Sequence, residues 1–222
     1  MVTADDAQGV LAIWHDIRGG HESDFESWYK NEHFPERLAV PGFRLGRRYE
    51  AVSGAPRYFC CYLTDTPATL ASAGYIERLN NPTPLTRSIM LDAFLNMNRT
   101  VCRRVRRFGA LWGAFNVTAR FDAPIDQEPV LSMLGALGGT DGVARCELWS
   151  AADSGDAAAT EEQLRGGDRK IAACATVETL RQSDAERVHE QLAREVGAAA
   201  EIGIYRLLCQ LSAPAGGTES MM

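Results

Sequence analysis

The chain of 222 residues lacks the marks of several large protein classes. No stretch approaches the about 18 uninterrupted apolar residues of a membrane span. Residues 1–8 hold two aspartates and no basic segment, so a secretory signal is not expected. Basic charge is in deficit, with 23 Lys and Arg against 29 Asp and Glu for a net charge of −6. A surface suited to nucleic acid or anionic lipid is therefore not expected. The one basic run, Arg103-Arg104 with Arg106-Arg107, reads as a solvated strand end or linker. Six cysteines are present, yet none forms a Cys-x-x-Cys pair or a cysteine-histidine zinc spacing. They read as reduced small hydrophobes in a cytoplasmic protein. There is no Gly-x-Gly-x-x-Gly, phosphate-binding loop, nucleophile elbow or His-Glu-x-x-His. Nothing in the chain specifically calls for a metal or a nucleotide.

What is present is a long repeat. Ala12-Ile13-Trp14 returns as Ala110-Leu111-Trp112, Pro41-Gly42-Phe43 as Asp141-Gly142-Val143, and Arg99 with Cys102 as Arg206 with Cys209. The separations grow from 98 to 100 to 107 positions. That length fits a small domain copied in tandem. Residues 1–107 and 108–212 are expected to be its two copies, with a disordered tail at 213–222.

Periodicity predicts strands over 10–17, 43–52, 57–64 and 93–105, with a helix from Glu22 that Pro35 should end near Phe34. The second half predicts strands over 108–121, 142–151, 170–180 and 202–211, with helices over 126–137 and from Ser183 to about Val196. Residues 153–167, rich in Ala, Gly, Asp and Glu, read as a mobile loop. The order predicts an α+β protein of two tandem ferredoxin-like βαββαβ units. Their strands are apolar on both faces, as Leu11, Ile13 and Ile17 alternate with Val10, Ala12 and Trp14. The antiparallel sheets are therefore expected to pack face to face as an intrachain α+β barrel, with a hollow between them for the site. A monomer suffices to close such a barrel, and a homodimer stays open as an alternative.

The segment Trp28-Tyr29-x-x-Glu32-His33-x-Pro35-Glu36-Arg37, then Val40-Pro41-Gly42-Phe43 and Arg47-Arg48-Tyr49, resembles the EthD-like branch of the dimeric α+β barrel superfamily. Tyr75, Asn81-Pro82-Thr83-Pro84 and Asn98-Arg99 are similar to later motifs of a tandem group within it. The resemblance departs at Leu85, where a tryptophan is the family pattern. It implies small-molecule chemistry on a hydrophobic ligand: decarboxylation, dehydration, isomerisation or oxygenation, without a nucleotide cofactor. A non-catalytic binding or accessory protein and a haem protein ligated through His15 or His33 are the alternatives that it leaves open.

His33 is the leading candidate for acid/base work, because only histidine titrates near neutral pH unaided. Glu32 or Glu36 is close enough in sequence to orient its ring; a helix-end cap is the structural alternative. His15 joins it as a pocket candidate, since the repeat aligns it with Gly113. Arg47 and Arg48 point to opposite faces of one strand, and either can steady an oxyanion or pair with a glutamate. Trp14, Trp28, Tyr29, Tyr49 and Tyr62 are candidate aromatic walls or core. Arg99 is a candidate ligand contact, or a structural partner across the join if it matches Arg206.

Overall fold

A computed structural model describes residues 3–152 and 160–214. The first half runs β1 (Gly9–Ile17), α1 (Glu22–Trp28), a π-helical turn (Tyr29–His33), α2 (Phe34–Leu38), β2 (Phe43–Ser53), β3 (Tyr58–Thr64), α3 (Ala73–Asn80), α4 (Pro84–Asp92) and β4 (Phe94–Phe108). The second runs β5 (Phe115–Phe121), α5 (Gln127–Leu137), β6 (Val143–Ala151), α6 (Thr160–Leu164), β7 (Ala173–Thr179), α7 (Gln182–Val196) and β8 (Glu201–Ser212).

Among the described residues eight strands close into one antiparallel barrel, in the order β1-β3-β2-β8-β5-β7-β6-β4. The strands of each half are neighbours in the same internal order, 4-1-3-2 and 8-5-7-6. The halves join at their edges, β2 to β8 and β4 to β6, and their inner faces oppose each other across the barrel interior. The long β4 and β8 extend beyond their own half and pair with β6 and β2, and closure leaves no unpaired edge.

The two apolar faces of β1 are both used. Val10, Ala12 and Trp14 join the barrel interior with Leu45, Tyr49, Phe59, Cys61, Trp149 and Tyr205. Leu11, Ile13 and the rest of the outer face pack under the first-half helices. The interior is not the hollow expected from the sequence. Phe59 stacks on Trp14 at 4.8 Å and on Tyr49 at 5.1 Å, and buried Arg47 pairs with Glu178 at 2.6 Å among these rings.

Three expectations need correction. The strand predicted over 108–121 is two elements. Gly109 turns the chain at φ +82, where a Cβ would sit 2.4 Å from the Ala144 carbonyl oxygen. Residues 109–114 then carry Trp112 under the guanidinium groups of Arg47 and Arg145, at 4.7 and 3.5 Å from its ring. Trp112 is therefore not the counterpart of Trp14. Thr64 and Thr179 end equivalent strands, and their registers match His15 with Phe121 rather than Gly113. Residues 160–164 of the expected loop are helical as α6, while 153–159, like 215–222 of the expected tail, lie outside the described residues.

The third correction concerns the helix at Pro35. It does not stop near Phe34, because the Phe34 N–H donates to the Tyr29 carbonyl and a single π turn leads into α2 with Pro35 in its first turn. A proline there interrupts no α-helical hydrogen bond. The extra residue in the turn lets Trp28, Tyr29, His33 and Phe34 all face the sheet. Gly46 of β2 makes the close approach possible, since a Cβ there would lie 2.2 Å from the Phe34 ring.

Candidate functional site

A small, partly open cavity of about 30 Å³ lies between the first-half helices and the outer face of β1, β3 and β4. By volume it holds a water molecule or two. His15, His33, Tyr29, Tyr62, Arg37, Tyr75 and Arg99 line it from the first half. Glu161 and Arg165 close it from the second. Helix α6 reaches over through the Thr160 N–H, which donates to Asn80 Oδ1 at 3.1 Å. The chain after α6 is stitched to β4, where Arg169 N–H donates to the Met97 carbonyl and Arg99 N–H to that of Arg169, both at 2.9 Å. An open vestibule of about 300 Å³ shares Phe94, Met97 and Arg165 with the cavity. Those three side chains stand between the cavity and solvent.

His33 is buried against the Trp28 ring, with centroids 4.3 Å apart. Its Nδ1 has no hydrogen-bond partner, so it neither caps a helix nor leans on a carboxylate. Glu32 instead accepts from Thr86 Oγ1 at 2.6 Å, and Glu36 pairs with Arg78 at 3.1 Å. Trp28 Nε1 donates to the same Thr86 hydroxyl at 2.9 Å, which fixes the indole behind the imidazole. Burial first, and then the cations of Arg37 and Arg165, hold the His33 pKa well below the usual histidine range. The ring is neutral at physiological pH.

His15 sits on the same cavity among Phe25, Tyr58 and Phe94. Burial, and after it the Arg48 cation, lowers its pKa to about 3. The Tyr29 and Tyr62 hydroxyls pair with each other at 2.9 Å. Burial pushes the Cys60 thiol in the wall up to about 11, which leaves it a poor nucleophile.

The other sequence candidates are placed elsewhere. Neither Arg47 nor Arg48 lines the cavity. Arg47 faces the barrel interior, bonded to Glu178 and to the Gly113 carbonyl at 2.8 Å. Arg48 lies beyond Tyr29, bidentate to Glu26 at 2.5 and 2.6 Å and lining a separate open cleft. Trp14 and Tyr49 belong to the barrel interior, and Trp28 backs His33 without lining the space. Leu85 is 47% exposed, so a tryptophan missing there removes no wall of the cavity. Arg99 does line it and donates to Tyr75 Oη at 2.7 Å, while Arg206 is exposed on β8. The two arginines are not equivalents.

Residues that the sequence reading did not single out complete the cavity. Arg37, one turn beyond His33, pairs with Glu161 in a fully buried bond. Arg165 is held by Asp168 at 2.7 Å. Arg37 stood within the quoted motif, but nothing in the chain announces that Glu161 and Arg165 of the second half would meet it.

Haem does not fit this cavity. Its 30 Å³ is far below the roughly 300 Å³ at which ordinary small-molecule pockets begin, and aromatic rings surround His15. A macrocycle would require the helices to lift from the sheet. Among the described residues no group of three or more His, Cys, Asp and Glu is placed to hold a metal ion. Among them too, no helix is long and apolar enough to cross a membrane.

No protein-family model and no curated relative matches the chain. Solved structures do. An anthrone oxidase-like protein aligns with a TM-score of 0.65 at 10% identity, over 96% of this chain and 97% of its own. A monooxygenase candidate from Fusobacterium nucleatum aligns at 0.60 and 8% identity, over 95% and 96%. A chlorite dismutase candidate aligns at 0.55 and 12% identity, over 91% and 95%. The fold is that of the dimeric α+β barrel proteins. At these identities the likeness is one of fold, and it does not reach the EthD-like branch.

Proposed function

We propose that the protein is a small-molecule enzyme whose chemistry is proton transfer at His33 in the helix–sheet cavity. The observation that carries this is His33 Nδ1: a buried, neutral imidazole nitrogen without a partner, in a cavity where Arg37 also presents an unpartnered NH1. An apolar guest entering past Phe94, Met97 and Arg165 would give up a proton from an acidic C–H or O–H to Nδ1. The negative charge left on the guest's oxygen would be met by the Arg37 guanidinium. Return of that proton at another atom is isomerisation, and loss of a hydroxyl from the same anion is dehydration. The aromatic walls Tyr29, Tyr62 and Phe94 suit a ring-bearing substrate. The oxidase- and monooxygenase-like proteins that share the fold support a small-molecule enzyme. The motif around Trp28, Tyr29, Glu32 and His33 supports membership of the EthD-like branch. The identical strand order of the halves supports two ferredoxin-like units, 1–107 and 108–212, only the first of which kept the reactive side chains.

Untargeted mass spectrometry of a small-molecule extract incubated with the wild type and with His33→Gln tests this. The wild type should consume at least one metabolite that the variant leaves untouched, while the two melt within a few degrees of each other. Identical metabolite profiles would remove the proposal.

A further inference from the structure

The charges around the cavity do not balance. Three arginines line it, Arg37, Arg99 and Arg165. Glu161 neutralises Arg37, and Asp168 neutralises Arg165 through two bonds of 3.1 and 2.7 Å. Arg99 makes no salt bridge among the described residues; its bond goes to the Tyr75 hydroxyl, and Asp168, the acid whose field reaches it, is already bonded to Arg165. Both histidines are held neutral, so neither alters the sum. Arginine does not lose its proton in a protein. The wall therefore keeps one uncompensated positive charge, set among Leu11, Ile13, Leu79, Met90 and Phe94. Arg99 is partly rather than fully buried, and a cation largely withdrawn from water without a counter-charge is costly, so proteins ordinarily pair it. Two further buried groups of the same wall, Arg37 NH1 and His33 Nδ1, are also without partners. A single arginine reaching the cavity could serve packing alone; unmatched charge together with two orphaned buried nitrogens points to a guest.

From this we infer that the natural ligand is an apolar, ring-sized monoanion whose carboxylate or phenolate oxygen is received by Arg99. The inference rests on reading the cavity as the functional site, and it adds the ligand's charge and the residue that recognises it. The acid group and the reacting atom are assigned to different parts of the wall. Arg99 and Tyr75 would take the standing negative charge, while His33 and Arg37 face the atom that changes. The vestibule's own arginines, Arg165 and Arg169, are already paired with Asp168 and Asp122, so the unpaired charge that such a molecule would meet is that of Arg99. Tyr75 fixes the guanidinium by accepting its bond, so the residue arrives already oriented.

Calorimetric titration with benzoate and with its neutral isostere benzamide tests the inference by binding alone, without turnover. The wild type should bind the acid at least tenfold more tightly than the amide. Arg99→Gln should remove that preference by weakening the acid and leaving the amide unchanged, and Arg99→Lys should restore most of it. Arg99→Met serves as a second uncharged variant should the glutamine form fail to fold. Equal or tighter binding of the amide by the wild type, absence of binding by either probe, or a preference that survives both uncharged variants would overturn the inference. His33→Gln should keep the preference for the acid. A wild type that prefers benzoate but shows no His33-dependent metabolite consumption would leave the anion site standing and remove only the proton-transfer reading.

Discussion

Acid should weaken this fold through its buried histidines, and His15 offers the cleanest measurement. Its folded-state pKa is about 3, because the ring is buried among Phe25, Tyr58 and Phe94 and faces the Arg48 cation. In the unfolded chain it returns to about 6.5. Between these values the unfolded state binds one proton more than the folded state. The contribution of the neutral ring is complete above the unfolded pKa and is lost as pH falls towards the folded one. From pH 7.5 to pH 5.0 the loss is roughly 2 kcal/mol, at about 1.4 kcal/mol per pH unit below 6.5. His33, shifted in the same direction, adds to it. Among the described residues the one polar contact of the His15 ring is a long 3.4 Å approach to the Asp16 carbonyl, so His15→Phe should pack in place. Urea unfolding of wild type and His15→Phe at pH 7.5, 6.5, 5.5 and 5.0 isolates the effect, since the carboxylates titrate alike in both. The variant should lose roughly 2 kcal/mol less than the wild type over that range. Parallel stability curves would refute the burial argument, and with it the reading of the cavity as a place where imidazole is held neutral.

Glu161→Gln should cost about 3–5 kcal/mol in urea unfolding, because Arg37 would keep its buried charge without a counter-ion; Glu161→Gln combined with Arg37→Met should recover much of that loss. Gly46→Ala forces the Phe34 ring back from β2 and should destabilise by about 1–3 kcal/mol, read as a lowered melting temperature. Titration with haemin should give no Soret shift attributable to His15 or His33, and a shift lost in His33→Gln would contradict the small volume of the cavity.

The elements and the helical motif were legible in the chain because they rest on short-range physics. The two-faced apolar alternation of β1 already required cover on both sides. The spacing of Trp28, Tyr29 and His33 placed them on one buried helix face, and both histidines do line one cavity. The continuation past Pro35 escaped because a π turn leaves no trace in apolar periodicity. The pairing of Trp14 with Trp112 misled because a few shared residues do not locate an insertion, whereas strand register does.

What one chain fixes by itself is which residues alternate, which faces are apolar and which helical motif carries the histidine. Which side of the sheet became the cavity was decided by packing. Trp14, Tyr49, Phe59 and Arg47 fill the barrel interior, and the cavity that His33 lines lies beneath the helices. The charge of that space was decided later still, by contacts across more than a hundred residues of chain. Glu161 reaches Arg37 and Arg99 is left without an acid, and no local pattern can report a counter-charge that arrives from the other half.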